Sequence, residues 1–169
     1  MNLLTGAAGK TGRAIIQALT KRGEIVRPLI HRPDHVPSLN ALGVKDVIVG
    51  DARDQANLEH AVKNVRAIYH IAPNVSPEEV SIGKVVIAAA QIAGVERFVF
   101  HSVLHPQVEA MPHHWLKARV EELLFASGLP FTILQPTAYM QNVLAHWDQI
   151  LEHGKYPIPY SPETRLSLV

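Results

Sequence analysis

Three glycines stand at the spacing G-x-x-G-x-x-G in the stretch Thr5-Gly6-Ala7-Ala8-Gly9-Lys10-Thr11-Gly12, close to the start of this 169-residue chain. The stretch follows a short strand-like segment, residues 2–5, and precedes a helical pattern that continues to Lys21. Gly6 is expected at the positive-φ position of a tight strand-to-helix turn, and Gly12 where the new helix lies close to the strand. A glycine turn in this context predicts the beginning of a βαβ unit.

Strand-like and helix-like segments alternate along the rest of the chain. This alternation predicts an α/β fold with a doubly wound parallel sheet, the Rossmann fold, of about six strands flanked by helices. The predicted strands are residues 2–5, 25–31, 47–49, 67–71, 97–102 and 131–135. The predicted helices after the first are residues 38–42, 55–63, a helix capped by Ser76 and ended by Gly94, residues 113–126, and a last helix over residues 140–151.

The glycine turn is suited to holding a pyrophosphate. Unpaired N–H groups and the partial positive charge at a helix N-terminus stabilise a phosphate, and Gly9 has no Cβ to block its approach. The turn therefore predicts a dinucleotide site, although a glycine turn needed only for chain geometry is the alternative. A P-loop is not expected, because Gly12 is followed by Arg13 and not by Lys and Ser or Thr.

The end of the second strand indicates which dinucleotide is bound. Proteins that bind NAD place an acidic residue there to accept from the ribose 2′-hydroxyl, whereas this chain has His31-Arg32. A guanidinium pairs with a 2′-phosphate, so the sequence favours NADP(H) over NAD(H). The alternative is that Arg32 is a solvated loop cation.

Composition argues against several other function classes. The formal net charge of +1 gives no basic patch for nucleic acid or an anionic membrane, and the chain has no cysteine for disulfides or thiolate chemistry. No apolar run approaches the roughly 20 residues of a membrane helix. We expect a cytoplasmic protein that acts on a small molecule without direct contact to nucleic acid or membrane.

Two further patterns invite interpretation. Four of the ten histidines, His101, His105, His113 and His114, crowd into one stretch, but no cysteine or carboxylate partner stands among them. Cleft or surface histidines are therefore expected in preference to a metal site. The apolar stripe over residues 140–151 predicts either core or a homodimer face, and we expect a homo-oligomer.

Several motifs together resemble the NmrA-like branch of the atypical short-chain dehydrogenases/reductases, and the match extends through most of the chain. These motifs are Thr5-Gly6-Ala7-Ala8-Gly9-Lys10-Thr11-Gly12-Arg13, Val26-Arg27-Pro28-Leu29-Ile30-His31-Arg32, Gly50-Asp51, Ala93-Gly94-Val95-Glu96-Arg97-Phe98-Val99 and Ser127-Gly128-Leu129-Pro130-Phe131-Thr132-Ile133-Leu134-Gln135-Pro136. The resemblance implies an NAD(P)-binding Rossmann domain and oxidoreductase chemistry.

The resemblance also implies a set of cofactor-binding positions. They are Gly6, Ala8, Gly9, Lys10, Thr11, Gly12, His31, Arg32, Asp51, Ala52, Ala72, Pro73, Ser102, Lys117 and Pro136. Among these, Asp51 would contact the adenine, and Ala72-Pro73 would lie along the pyrophosphate and ribose.

At the other end of the cofactor, Ser102 would border the nicotinamide and Lys117 would hydrogen-bond its ribose. Pro136 and Thr137 would flank the nicotinamide, and Tyr139 would face the substrate.

The sequence departs from the wider reductase pattern at the catalytic tyrosine. Where that pattern has Tyr-x-x-x-Lys, this chain has His113 four residues before Lys117, on the same helical face. Either His113 or Tyr139 could supply a proton, so Lys117, His113 and Tyr139 are the candidate catalytic residues. NmrA-like proteins often lack the tyrosine, and some sense the cofactor without turnover.

Family members also continue beyond the length of this chain. We expect residues 1–153 to form the NAD(P)-binding domain and residues 154–169 to begin a truncated C-terminal substrate-binding region. Two functions follow from the resemblance. The first is an NADP(H)-dependent oxidoreductase that passes hydride to a small carbonyl or quinone. The alternative is a non-catalytic, NADP(H)-sensing regulator that binds a protein partner.

Overall fold

The sheet is wholly parallel and has the strand order β3-β2-β1-β4-β5-β6. The computed structural model describes residues 1–158, 161, 163–165 and 167–169. In those residues the strands are β1 (Asn2–Leu4), β2 (Val26–Ile30), β3 (Ile48–Val49), β4 (Ala67–His70), β5 (Arg97–His101) and β6 (Phe131–Leu134). The order reverses between β1 and β4, as in a doubly wound sheet, and confirms the predicted Rossmann-type fold.

Helices cover both faces of the sheet. They are α1 (Lys10–Lys21), α2 (Val36–Asn40), α3 (Gln55–Ala61), α4 (Glu79–Ala93), α5 (Pro112–Ala126) and α6 (Trp147–His153), with 3₁₀ segments at Pro33–His35 and Met140–His146. Within the described residues, none of these helices is long and apolar enough to cross a membrane.

The two faces of the sheet have separate cores, because successive residues of a strand point to opposite sides. Leu3 packs with residues of α3, α4 and α5, whereas the next residue, Leu4, packs with Ile16 of α1 and Leu39 of α2. Phe98 and Phe100 of β5 are fully buried on the same side as Leu3. Because all six strands are parallel, their carboxyl ends lie at one common edge of this doubly covered sheet.

Two predicted helices differ from the structure. Helix α4 begins at Glu79 and not after Ser76, because the Ser76 hydroxyl accepts from the Glu78 N–H at 3.1 Å and closes a turn there. Near its end, the apolar side chain of Ile92 is 72% exposed. The predicted helix over residues 140–151 is a 3₁₀ segment followed by the short α6, and four of its large apolar side chains are exposed: Met140, Leu144, Trp147 and Leu151.

Residues 168 and 169 pair with the segment that follows β6. Leu168 forms a parallel bridge with Ala138, and the Val169 N–H donates to the Ala138 carbonyl at 3.0 Å. Residues 159, 160, 162 and 166 of the predicted C-terminal region, residues 154–169, lie outside the described residues.

Candidate functional site

A cleft of about 910 Å³ opens at the carboxyl edge of the sheet, where the strand order reverses between β1 and β4. Ligands of open α/β sheets bind at this position because loops from both halves of the sheet diverge there. The cleft is lined by the segments that follow all six strands, together with the first turns of α1 and α5. It brings together every site residue predicted from the sequence except Arg32.

The three glycines of the turn have different structural roles. Gly6 has a φ of 63°, and a Cβ there would lie 2.7 Å from the Ile71 carbonyl oxygen. A Cβ on Gly12 would lie 2.5 Å from the Gly6 carbonyl oxygen, so Gly12 is needed for the packing of α1 against the turn. A Cβ on Gly9 would meet only the Gly6 oxygen, at 3.5 Å, and would project into the cleft. Only Gly9 keeps space free for a ligand.

The first turn of α1 presents unpaired donors to that space. Gly9 occupies the N-cap position and no side chain caps the helix. Among the described residues, the N–H groups of Lys10, Thr11 and Gly12 donate to no protein acceptor, whereas the next N–H, that of Arg13, donates to the Gly9 carbonyl at 2.9 Å. Free N–H groups beside a position without a Cβ fit a pyrophosphate.

An ionic network borders the cleft beyond β3. The Arg53 guanidinium donates to both Asp51 oxygens, at 3.0 and 2.9 Å from Nε, and to Glu78 at 3.0 Å. The Arg53 hydrogen bonds lower the pKa of Asp51 to about 2. Asp51 is therefore ionised at neutral pH, and its carboxylate lies 3.7 Å from Nδ1 of His31.

Arg32 faces away from the cleft toward its own loop. Its guanidinium lies 2.6 Å from Nε2 of His35 and 3.7 Å from the Asp34 carboxylate. The side chain is 64% exposed, so these contacts hold it only loosely. The role of Arg32 in cofactor choice stays a prediction.

Beneath the cleft, a threonine and a histidine join the ends of β1 and β4. The Thr5 hydroxyl lies 2.7 Å from Nδ1 of His70 and accepts from the Ile71 N–H at 3.0 Å. His70 is fully buried, and its ring stacks on Phe100 with the centroids 5.8 Å apart. Burial, followed by the Lys117 charge, lowers the pKa of His70 to about 3, so the ring is neutral.

Lys117 reaches the cleft from α5 and is paired with Glu79, the first residue of α4. Its Nζ lies 2.9 Å from Glu79 Oε1 and 3.4 Å from the His101 carbonyl oxygen, and the side chains of Lys117 and Glu79 are 17% and 3% exposed. Burial raises the pKa of the Glu79 carboxyl, and the Lys117 ammonium opposes that rise. An ammonium carries three donors, so these two contacts leave one for a ligand.

Two phenols bridged by an imidazole lie on the nicotinamide side of the predicted site. Tyr69 Oη is 2.9 Å from Nδ1 of His101, and Nε2 of the same ring is 2.6 Å from Tyr139 Oη. Burial raises the pKa of Tyr69 to about 12, and burial lowers the pKa of His101, with a further contribution from Lys117. His101 is therefore neutral and has one N–H and one acceptor nitrogen.

At the predicted nicotinamide end of the cleft, the buried Glu121 carboxylate accepts hydrogen bonds from two segments that follow strands. The Ser102 hydroxyl donates to the Glu121 carboxylate, and Gln135 Nε2 donates to both Glu121 oxygens at 3.0 and 3.1 Å. Glu121 thus ties the ends of β5 and β6 to α5. The Ser102 hydroxyl, which was predicted to border the nicotinamide, thus already donates its hydrogen to Glu121.

The crowded histidines do not converge. His113 lies in the cleft with its ring edge-on to His114 at 4.6 Å, and His114 Nδ1 lies 3.1 Å from the His105 carbonyl oxygen. Burial lowers the pKa of His113, and the His114 and Lys117 charges lower it further. In the described part of the chain, no three histidine or acidic residues are grouped as metal ligands would be.

Sequence reasoning missed several residues of the site. Tyr69, His70, Glu79 and Glu121 were not among its candidates, and His101 was noted only as one of the crowded histidines. The alternation of β4 could have shown that Tyr69 and His70 face opposite sides of the sheet, but not which partners they meet.

Comparison with known proteins agrees with this architecture. The chain is 29% identical over 161 residues to the NAD(P)H azoreductase of Xenophilus azovorans, an alignment covering 94% of this chain and 55% of that protein. It is 30% identical over 159 residues to quinone oxidoreductase 2 of Escherichia coli, covering 92% and 55%. The chain thus spans about half the length of the curated relatives it matches.

A solved structure superposes on the same region. The NADPH-dependent quinone oxidoreductase from Escherichia coli, crystallised with NADPH, matches with a TM-score of 0.80 and 29% identity, covering 91% of this chain and 55% of the other. The sequence model of the NmrA-like family matches residues 3–168, nearly the whole of the chain. This chain therefore belongs to the NmrA-like family.

Proposed function

We propose that this chain forms the dinucleotide-binding part of an NADP(H)-dependent oxidoreductase that acts on a small carbonyl or quinone. The observation that carries the proposal is the open position at Gly9 beside three unpaired N–H groups, at the edge where the sheet order reverses. In our proposal these groups hold the pyrophosphate. The names of the related proteins, an azoreductase and quinone oxidoreductases, support the reaction class.

The two ends of the cleft fit the two ends of a dinucleotide. The adenosine lies toward His31 and Asp51, where the Asp51 carboxylate is paired with Arg53. The nicotinamide lies toward Ser102, Lys117 and Pro136. We propose that Lys117 donates its remaining N–H to the nicotinamide ribose while Glu79 and the His101 carbonyl accept the other two.

A bound reduced nicotinamide would supply the hydride, and the chain's own residues would orient the substrate and deliver a proton. Tyr139 and His113 both line the cleft and both carry an exchangeable proton. Tyr139 is held by a hydrogen bond to His101, whereas none of the described residues makes a hydrogen bond with the His113 ring. We therefore favour Tyr139 as the proton donor.

The preference for NADP(H) over NAD(H) rests on Arg32. Its contacts with His35 and Asp34 are exposed, and a 2′-phosphate could replace them with a stronger bidentate pair. Replacing Arg32 with alanine should weaken NADP(H) binding while leaving NAD(H) binding nearly unchanged. Asp34→Ala is the matched control on the same loop, and it should not weaken NADP(H) binding.

The proposal also divides the chain into a nucleotide-binding domain and the beginning of a substrate-binding region. We propose that residues 1–153 are the nucleotide-binding domain and that residues 154–169 begin the substrate-binding region. The exposed apolar side chains of the 3₁₀ segment and α6 support this division, because such surfaces are normally covered.

Reduced-cofactor consumption tests the proposed activity. NADPH oxidation is followed with a panel of quinones and aldehydes, using the wild-type chain and the Tyr139→Phe variant. Steady turnover that falls in the variant is the expected result. Tight NADP(H) binding with no turnover on any acceptor would refute oxidoreductase activity of these 169 residues and favour a nucleotide-sensing regulator.

A further inference from the structure

We propose that Tyr69 and His101 are positioning residues that fix Tyr139 as the proton donor of the cleft. In this arrangement Tyr69 donates to Nδ1 of His101, and the Nε2–H of His101 donates to the Tyr139 oxygen. The Tyr139 hydrogen is then free to point into the cleft. This inference rests on the proposed oxidoreductase function and identifies how its acid is held.

The three side chains form one line of hydrogen bonds and come from β4, from β5 and from the segment after β6. Tyr69 lies on β4, His101 is the last residue of β5, and Tyr139 follows β6. The two oxygen-to-nitrogen distances are 2.9 and 2.6 Å. His101 and Tyr139 line the cleft, whereas Tyr69 lies behind them and is not part of its lining.

The donors and acceptors of these three groups determine the direction of the two hydrogen bonds. The Tyr69 phenol is part-buried and stays protonated at neutral pH, because burial raises its pKa to about 12. Among the described residues, its hydroxyl has a hydrogen-bond partner only in Nδ1 of His101. If Nδ1 carried the imidazole proton, the Tyr69 hydrogen would lack a protein acceptor, which costs free energy in a partly buried site. The proton of His101 therefore belongs on Nε2.

The charged groups around His101 keep it neutral. Lys117 from α5 lies 3.4 Å from the His101 carbonyl oxygen, and its charge, added to burial, lowers the pKa of the imidazole. Glu79 from α4 is paired with Lys117, and His70 on β4 is itself neutral. A neutral imidazole has one donor and one acceptor, which is what a bridge between two phenols requires.

The consequence for proton transfer is direct. When hydride adds to the carbonyl or quinone, the electron pair of the C=O bond moves to its oxygen, and that oxygen takes the proton of the Tyr139 hydroxyl. The negative charge is then on the Tyr139 phenolate, which the Nε2–H of His101 stabilises by a charge-assisted hydrogen bond. Water in the cleft returns the proton, and neither His101 nor Tyr69 is oxidised or reduced.

Nitrogen NMR of the imidazoles tests this arrangement without turnover. The His101 signals, assigned by their loss in His101→Phe, should show the Nε2–H tautomer in the wild-type chain and a loss of that preference in Tyr69→Phe. Tyr156→Phe is the matched control, because Tyr156 packs against another histidine, His146, outside the cleft. An Nδ1–H tautomer in the wild type would overturn the inference.

Steady-state kinetics provides the second readout. In Tyr69→Phe we expect kcat to fall about five- to tenfold, as for loss of one neutral hydrogen bond, with KM for NADPH unchanged. In Tyr139→Phe we expect a fall of about 10²-fold or more. Wild-type turnover that survives both substitutions would refute this inference alone. Absence of any wild-type turnover would refute the proposed function and this inference with it.

Discussion

Two alanine substitutions in the glycine turn should separate folding from binding. A Cβ on Gly12 would lie 2.5 Å from the Gly6 oxygen, 2.7 Å from Ala7 Cα and 2.8 Å from the Ala7 oxygen. All three are backbone atoms that cannot rotate away, so overpacking of this kind costs about 3 kcal/mol. Alanine recovers about 1 kcal/mol of helix propensity relative to glycine. The net loss of stability for Gly12→Ala is about 2 kcal/mol.

Gly9→Ala is expected to behave in the opposite way. Gly9 has a φ of −72° and a ψ of 167°, which any L-residue adopts, and its added Cβ would meet only one atom at 3.5 Å. The free energy of unfolding should therefore change by less than about 1 kcal/mol. The Cβ would instead displace the pyrophosphate from the N–H groups of α1. Loss of one charge-assisted hydrogen bond, about 1.5–3 kcal/mol, raises the Kd for NADPH about 10- to 100-fold.

Thermal unfolding and calorimetric titration with NADPH measure the two effects on the same samples. We expect the Tm of Gly12→Ala to fall by about 4–8 °C and that of Gly9→Ala to stay near the wild-type value. The reasoning is wrong if Gly12→Ala is as stable as the wild type, since the close backbone contacts would then not exclude a Cβ at this position. An unchanged Kd in Gly9→Ala would contradict the proposed position of the pyrophosphate.

Three further predictions concern stability and assembly. The pKa of His70 is about 3 in the folded chain and about 6.5 in the unfolded chain, so the unfolded chain takes up a proton first as the pH falls. The free energy of unfolding should therefore fall by about 1.4 kcal/mol between a pH well above 6.5 and pH 5.5. Urea unfolding of His70→Leu should lack this part of the pH dependence. Lys117→Met should lower the free energy of unfolding by about 3 kcal/mol at neutral pH, because it leaves the Glu79 carboxylate buried and unpaired. The loss should be smaller at acid pH, where Glu79 is protonated, and in the double variant with Glu79→Gln. Equal losses at both pH values would count against the pairing. Sedimentation at micromolar concentration should show a dimer or larger species that Trp147→Glu and Leu151→Glu dissociate, because both side chains are exposed; a wild-type monomer would contradict this.

Much of the fold could be predicted because its signals are local. The glycine turn, the αL glycine at Gly94 that ends α4, and the apolar strand segments each depend on neighbouring residues alone. The start of α4 was wrong because Ser76 uses its hydroxyl in a turn, and an N-cap and a turn have the same sequence pattern. The last helix was predicted as one regular helix, whereas the structure has a 3₁₀ segment followed by the short α6. The physical reason is that most of its periodic apolar side chains are exposed and do not pack against a core.

The candidate site was predictable only where a motif spans it. Gly9 and Lys117 belong to known spacings, and both lie in the cleft. Glu79 and Glu121 were missed as site residues because a carboxylate becomes functional here only through partners 38 and 14 to 19 residues away. His101 was expected as a cleft or surface histidine in preference to a metal ligand, and it lies in the cleft, but its position between two tyrosines could not be predicted.

The most direct measurement is a calorimetric titration of the wild-type chain with NADPH and, separately, with NADH. If bare N–H groups at the start of α1 hold a diphosphate, both dinucleotides bind with one-to-one stoichiometry, and NADPH binds more tightly because of Arg32. Equal affinities would remove the role of Arg32 but leave the cleft intact. The absence of binding by either dinucleotide would contradict the central claim.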